Sequence, residues 1–184
     1  AELLFWQGAK LMVADIDPAK TAIFARKYSA ISCSPQDIHR QECDIFAPCA
    51  LGGILNSQTI PQLQCKAVAG CANNQLLEDS DAVALQRRGI LYATDFVGNA
   101  GGLISSSDEF YPNGFQSSRA RNGVDKIYHT MMEIFLTASE QHITTHEAAV
   151  SIAEFRMSNK IGQRTEPAHF HHFEDKKLRD QPLL

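Results

Sequence analysis

The chain contains no run of about 18 apolar residues, the minimum for a helix that spans a bilayer, and no excess of basic charge. Seventeen Lys and Arg stand against 21 Asp and Glu, a formal net charge of −4. That balance offers nothing to a phosphate backbone or an anionic lipid surface, so neither nucleic acid nor membrane is expected as a partner. There is no CxxC pair among the five cysteines, Cys33, Cys43, Cys49, Cys65 and Cys71. An odd number without paired spacing argues against a disulfide framework. Buried thiols in a reducing cytoplasm fit better, and the chain reads as a soluble cytoplasmic protein.

What is present is the composition of a globular protein. The 184 residues are 44% hydrophobic and 21% charged, enough to bury a core in one or two units. Three segments share one design. In CDIFAPCALGGIL, Cys43 to Leu55, an apolar run breaks at Pro48 into a Cys-Ala turn and two glycines. In TIPQLQCKAVAGCANNQL, Thr59 to Leu76, an apolar strand from Lys66 to Ala69 runs into Gly70-Cys71-Ala72 and two amides. The third is GILYATDFVGNAGGLI, Gly89 to Ile104. Three junctions from strand to polar loop suggest the carboxyl edge of one parallel sheet, where open α/β folds bind ligands.

The opening stretch, AELLFWQGAK, reads as a helix ending at Gly8, followed by a short strand from Lys10 to Ala14. Asp15 stands at the strand's end, and Asp17-Pro18 then supplies an N-cap with proline at the first helical position. The next helix, Pro18 to about Tyr28, is expected to turn Ala22, Ile23 and Ala25 toward a core. Helix, strand, acid, helix is the order in the second half of a Rossmann βαβ unit, whose acid bonds the adenosine ribose. A glycine-rich fingerprint belongs about 20 residues before that acid, whereas fourteen residues precede Asp15. On this reading the fingerprint lies before Ala1 and the sequence is part of a longer polypeptide. Asp15 as a simple turn cap is the competing reading.

Farther along, Val124, Ile127, Tyr128, Met131, Phe135 and Ala138 fall at helical spacing and mark a packing stripe. Thr144 to Glu147 reads as the start of another helix, running to Met157. His142 and His146 are four apart, but a helix break between them spoils a shared metal face. The HFHH cluster, His169 to His172, reads as part of a polar tail, and no metal is expected.

From Leu11 to about Asn122 the chain resembles the amino acid dehydrogenases, in particular their leucine, phenylalanine and valine dehydrogenase branch, and leucine dehydrogenases most. The residues that carry this are VADID (Val13 to Asp17), CDIFAPCALGG (Cys43 to Gly53), TIPQL (Thr59 to Leu63), AGCANNQL (Ala69 to Leu76) and GILYATDFVGNAGGLI. The resemblance implies an α/β fold. A Rossmann-type doubly wound parallel sheet, partial at its start, would span residues 1–104, and C-terminal helices and a tail would span 105–184. It implies NAD as cofactor and oxidative deamination of a branched-chain or aromatic L-amino acid, leucine foremost, to its 2-oxo acid and ammonium. It also implies a homo-oligomer and a catalytic domain preceding this chain.

Carried over by residue, Asp15 would bond the adenosine ribose, with Ile16 beside the adenine. A carboxylate there repels a 2′-phosphate and favours NAD over NADP. Cys49 and Ala50 would line the nucleotide ribose, and Cys71, Ala72 and Asn73 would lie near nicotinamide and substrate, with Asn73 donating to the substrate carboxylate or the cofactor carboxamide. Asn99 would face the nicotinamide, and Leu103 and Ser106 the substrate side chain. Ser106 departs from the more apolar residue of leucine enzymes. The family's catalytic lysines and aspartate match nothing here, so no catalytic acid or base is assigned. Lys66 and Lys126 lie outside any such motif. Read from the residues alone, Asn73 and Asn74 are also turn formers, Leu103 a core residue, and Cys49 and Cys71 either small packing residues or nucleophiles. Two rivals stay open: a non-catalytic fragment that binds NAD or oligomerises, and a glutamate-specific relative.

Overall fold

A computed structural model describes residues 1–163 and 167–169, which form two compact units. The first comprises 1–69 and 74–92, the second 70–73 and the chain from Ala93 onward. The expected boundary after residue 104 falls inside a helix of the second unit, Gly101–Asp108.

In the first unit, α1 (Glu2–Trp6) ends before Gly8, whose φ of +87° suits a residue without a side chain. Strand β1 (Met12–Val13) leads to α2 (Pro18–Tyr28) and then to β2 (Ile31–Ser32), parallel to β1, with Met12 opposite Ile31. The Asp17 carboxylate caps α2 by accepting from Ala19 N–H at 2.9 Å and Lys20 N–H at 3.4 Å, and Pro18 costs the helix nothing at a position whose N–H has no intrahelical partner. The inner face of α2 differs from the expected one. Thr21 and Tyr28 are buried, whereas Ala22 is exposed and Ile23 is 68% exposed. Aromatic packing sets that rotation: the ring of Tyr28 lies 4.4 Å from Phe24 and 5.2 Å from Phe5.

Strands β3 (Ile45–Phe46), β4 (Ala67–Val68) and β5 (Leu91–Tyr92) form a second sheet, parallel throughout and in that order. All three strand-to-loop segments therefore leave the same edge of one sheet, as the three junctions predict. A short 3-10 turn, Ile60–Gln62, lies between β3 and β4, and α3 (Ser80–Arg87) lies between β4 and β5. Phe46, Leu55, Ile60, Leu63, Val68, Leu85, Ile90 and Tyr92 form the core. Arg88 ties the turn to α3's end by donating to the carbonyls of Ile60 and Leu63.

The second unit is helical: α4 (Asp95–Gly98), α5 (Gly101–Asp108), α6 (Ser117–Gln141) and α7 (Thr145–Ser158). Met131, Ile134 and Ala138 of α6 pack on Ala148 and Ala149 of α7, the alanines admitting close approach. The expected stripe on α6 is corrected at one end: Tyr128 is 67% exposed and Val124 is also exposed, while Ala120 and Ile134 take buried places. Gly123 shows why the early part of α6 uses a small residue. A Cβ there would meet Ile104 Cγ2 at 2.7 Å, closer than side chains approach. Between α5 and α6, Arg119 grips the buried Asp108 carboxylate and donates to Gly114 O at 2.6 Å, with Tyr111 under its guanidinium. Thr144 caps α7 in a reciprocal box with Glu147. His142 closes α6 in the left-handed conformation, so the break expected between His142 and His146 is real. No helix among the described residues is long and apolar enough to cross a membrane.

Candidate functional site

In the first unit, the end of β1 projects Asp15 and Ile16. The Asp15 carboxylate caps its own turn, accepting Asp17 N–H on Oδ1 at 2.9 Å. That realises the turn-cap reading through one of its two oxygens. Ile16 beside it is 93% exposed, an apolar side chain with no packing of its own. The pair presents a carboxylate next to an exposed apolar side chain.

Beyond β3 the chain turns at the buried Pro48 into Cys49, Ala50 and Leu51, all exposed. Gly53 holds a φ of +70°, its N–H donates to Asn74 O at 2.7 Å, and an added Cβ would meet Leu77 Cδ1 at 3.2 Å. Asn74 is itself left-handed, with φ of +50°, so the second asparagine of the pair is the turn former.

The thiols depart from the expected burial. Cys49 and Cys71 are exposed because they lie past the strand ends, and Cys33, Cys43 and Cys65 are only partly covered. Burial raises the pKa of Cys43 and of Cys65. Lys66 is exposed and paired with Asp44 at 2.7 Å, an arrangement suited to a surface ion pair.

In the second unit, Ala72, Asn73 and Asn99 converge. Asn99 Nδ2 donates to Asn73 Oδ1 at 2.6 Å and to Ala72 O at 3.3 Å. The Ala72 side chain is buried. Sequence reasoning picked out both asparagines but not their bond, nor the short helix α4 at whose C-cap Asn99 sits. The signal for α4 was Thr94-Asp95 after the third strand, a capping residue and an acid in a first turn; Asp95 Oδ1 accepts the Phe96 N–H at 2.9 Å.

Helix α5 opens two residues after Asn99, at Gly101, and no side chain caps its first amides. Such amides carry the positive end of the helix dipole. Leu103 and Ser106, one turn apart on α5, are both exposed, Leu103 by 74%. Leu103 is therefore not a core residue. Among the described residues, no three His, Cys, Asp or Glu side chains gather as a metal centre would need. The histidine cluster lies outside the described residues from residue 170 on; within it, the backbone N–H of His169 donates to Phe110 O at 3.0 Å.

Residues 9–164 match the family model for Glutamate/Leucine/Phenylalanine/Valine dehydrogenase. The chain is 45% identical over 151 residues to leucine dehydrogenase of Geobacillus stearothermophilus, covering 82% of this chain and 41% of that protein. It is 48% identical over 151 residues to L-tryptophan dehydrogenase of Nostoc punctiforme, covering 82% and 42%. A crystal structure of L-tryptophan dehydrogenase from Nostoc punctiforme superposes with a TM-score of 0.81 at 43% identity, over 86% of this chain and 47% of the other. Phenylalanine dehydrogenase of Caldalkalibacillus thermarum is 42% identical over 165 residues, 87% of this chain and 44% of that protein. The chain thus spans less than half the length of these relatives. A mixed α/β fold with parallel sheets, the quoted sequence blocks and a match across most of the chain agree: the chain belongs to the Glutamate/Leucine/Phenylalanine/Valine dehydrogenase family.

Proposed function

We propose that this chain is the dinucleotide-binding part of an NAD-dependent dehydrogenase that deaminates a branched-chain or aromatic L-amino acid, leucine foremost. The observation that carries the reading is the Asn73–Asn99 pair just ahead of the uncapped start of α5, with Leu103 exposed on that helix. Neutral amides and backbone N–H groups can orient a carboxylate or a carboxamide without placing charge beside a hydride path.

In this reading the first unit is a partial Rossmann half, and Asp15 and Ile16 hold the adenosine end of NAD. The site chemistry fits that group: one carboxylate oxygen is uncommitted, and the apolar neighbour has nothing packed on it. Cys49 and Ala50 are small enough for the cofactor's ribose to approach the backbone. When bound, the cofactor accepts the hydride lost from the substrate's α-carbon, and the resulting imine is hydrolysed to oxo acid and ammonium. This chain's residues orient the reactants. Asn99 holds the amide of Asn73, Asn73 donates to a carboxylate or carboxamide, and Leu103 and Ser106 meet the substrate side chain. Proton transfer at the amino nitrogen needs an acid or base within hydrogen-bond reach. We assign those groups to a catalytic domain preceding this chain, and the whole to a cytoplasmic homo-oligomer.

Assay of the complete polypeptide with leucine, valine, phenylalanine, tryptophan and glutamate at alkaline pH tests this. Reduction of NAD with leucine, valine or phenylalanine supports the proposal, and the isolated chain should show none. Turnover of glutamate alone would overturn the substrate reading. Silence of the complete protein with every amino acid would favour a non-catalytic role.

A further inference from the structure

We propose that Cys43 and Cys65 form a paired-thiol modification site, which a low-molecular-weight disulfide such as oxidised glutathione converts to an intramolecular disulfide joining the approaches to β3 and β4. The geometry comes from the strand register. Ahead of the ladder, Glu42 bridges Gln64 in parallel, and within it Ile45 stands opposite Ala67. Both pairs share one offset, so no residue is inserted between them and Cys43 stands opposite Cys65. The Cys43 N–H donates to Gln64 O at 3.1 Å.

The next pair verifies that register with side chains. Asp44 and Lys66, directly opposed, meet at 2.7 Å on the exposed face. One residue earlier, Cys43 and Cys65 are both partly buried and both pack against the core cluster that holds Phe46, Leu55 and Val68. Neighbouring strands lie about 4.8 Å apart, within the ~4.4–6.8 Å between α-carbons that a disulfide spans. Burial, and then Cys65, raise the pKa of Cys43, while the Phe46 backbone and Arg88 partly offset the burial that raises Cys65. The other three cysteines lack this arrangement. The β1–β2 register sets Cys33 against Ala14, and Cys49 and Cys71 lie in exposed loops.

The chemistry is two exchanges. One protein thiolate attacks a sulfur of oxidised glutathione, breaking its S–S bond and releasing one glutathione thiolate. The second protein thiolate attacks the sulfur of its neighbour, breaking the mixed disulfide and releasing the other. Two protein thiols are oxidised, one small disulfide is reduced to two thiols, and the two protein protons pass to the leaving thiolates. Because partly buried thiols react slowly, proximity is what selects this pair.

The test uses the complete polypeptide, treated under native conditions with oxidised glutathione, alkylated and mapped by mass spectrometry. The expected product is a peptide pair joined through Cys43 and Cys65 and lighter by two hydrogens. Cys43→Ser and Cys65→Ser should each remove that product and leave glutathione on the remaining thiol. If either variant fails to fold, native titration with phenylarsine oxide reads the same geometry: one equivalent should remove two free thiols, mapped to Cys43 and Cys65. Separate glutathione adducts on Cys43 and Cys65 in the unaltered protein would overturn the proposal. So would arsenical bound elsewhere, or both thiols left untouched while Cys49 and Cys71 react.

Discussion

Asn99 donates its side-chain N–H to the side-chain oxygen Oδ1 of Asn73 at 2.6 Å, and the same nitrogen lies 3.3 Å from Ala72 O. With its oxygen engaged, Asn73 keeps its amide hydrogens for a ligand acceptor. Removing the donor should let the Asn73 amide turn. Asn99→Ala in the complete polypeptide is expected to lower kcat/KM by about 1–2 kcal/mol, the cost of one hydrogen bond and its orientation. The thermal midpoint should barely move, because the pair lies outside the core. Asn73→Ala should cost about as much, and the double variant little more than either alone. Additive losses would show that the two amides act separately.

The carboxylate of Asp15 is expected to set cofactor choice. Asp15→Ser removes a negative charge that would face a 2′-phosphate. Since Asp15 is exposed, solvent screens that repulsion, and the shift toward NADP should be about 1 kcal/mol, roughly fivefold in the NADP to NAD ratio of kcat/KM. Equal use of both cofactors by the unaltered complete protein would remove Asp15 from this role.

Local chemistry made much of this fold legible. Asp17-Pro18 announced α2, Thr144 and Glu147 announced α7, and the three apolar runs ending in polar loops announced one parallel sheet. What stayed hidden depends on tertiary contact. Ile23 is apolar and falls at a plausible helical position, yet the rings of Phe5, Phe24 and Tyr28 decide which face of α2 turns inward. Tyr128 fits the α6 stripe by spacing, but Ile134 takes the buried place. At the candidate site the residue types could be read, because amides and glycines after a strand have few uses. The bond between Asn73 and Asn99 joins residues 26 apart, and no spacing rule reaches that far.

Arg119 and Asp108 should prove the most sensitive polar pair of the helical unit. The Asp108 side chain is nearly buried and also accepts Gln116 N–H at 2.7 Å. Arg119→Ala takes the guanidinium away from that carboxylate and from Gly114 O. A loss of about 3 kcal/mol in urea unfolding is expected, with partial recovery in Arg119→Lys, which keeps the charge but not the planar fork. An Ala variant as stable as the parent would mean that water replaces the guanidinium without cost.

Ser106 should tune substrate ranking. It is exposed on α5 one turn from Leu103, so Ser106→Val adds apolar contact at little structural cost. Turnover of leucine and valine should improve by about 1–2 kcal/mol in kcat/KM relative to more polar amino acids. An unchanged ranking would place Ser106 away from the substrate side chain.

Glu147 should give the folded chain an acid-sensitive element. Its carboxylate accepts the Thr144 backbone N–H at 2.8 Å and the Thr144 hydroxyl at 2.8 Å. The backbone bond, then the hydroxyl bond, hold its pKa below the ordinary glutamate value of 4.5. A carboxylate whose pKa is lower folded than unfolded binds fewer protons in the folded state, so its contribution is complete above the ordinary value and declines as pH falls through the depressed one. Glu147→Gln should therefore be less stable than the parent near neutrality, and the difference should shrink below pH 4.5. Thr144→Ala removes the other half of the box and should cost about 1 kcal/mol near neutrality. Its deficit should also narrow in acid, because the lost hydroxyl bond was to the ionised carboxylate. Urea unfolding of all three proteins at several pH values decides the point: a gap between parent and Glu147→Gln that stays constant into acid would show that the carboxylate's charge contributes nothing to the cap.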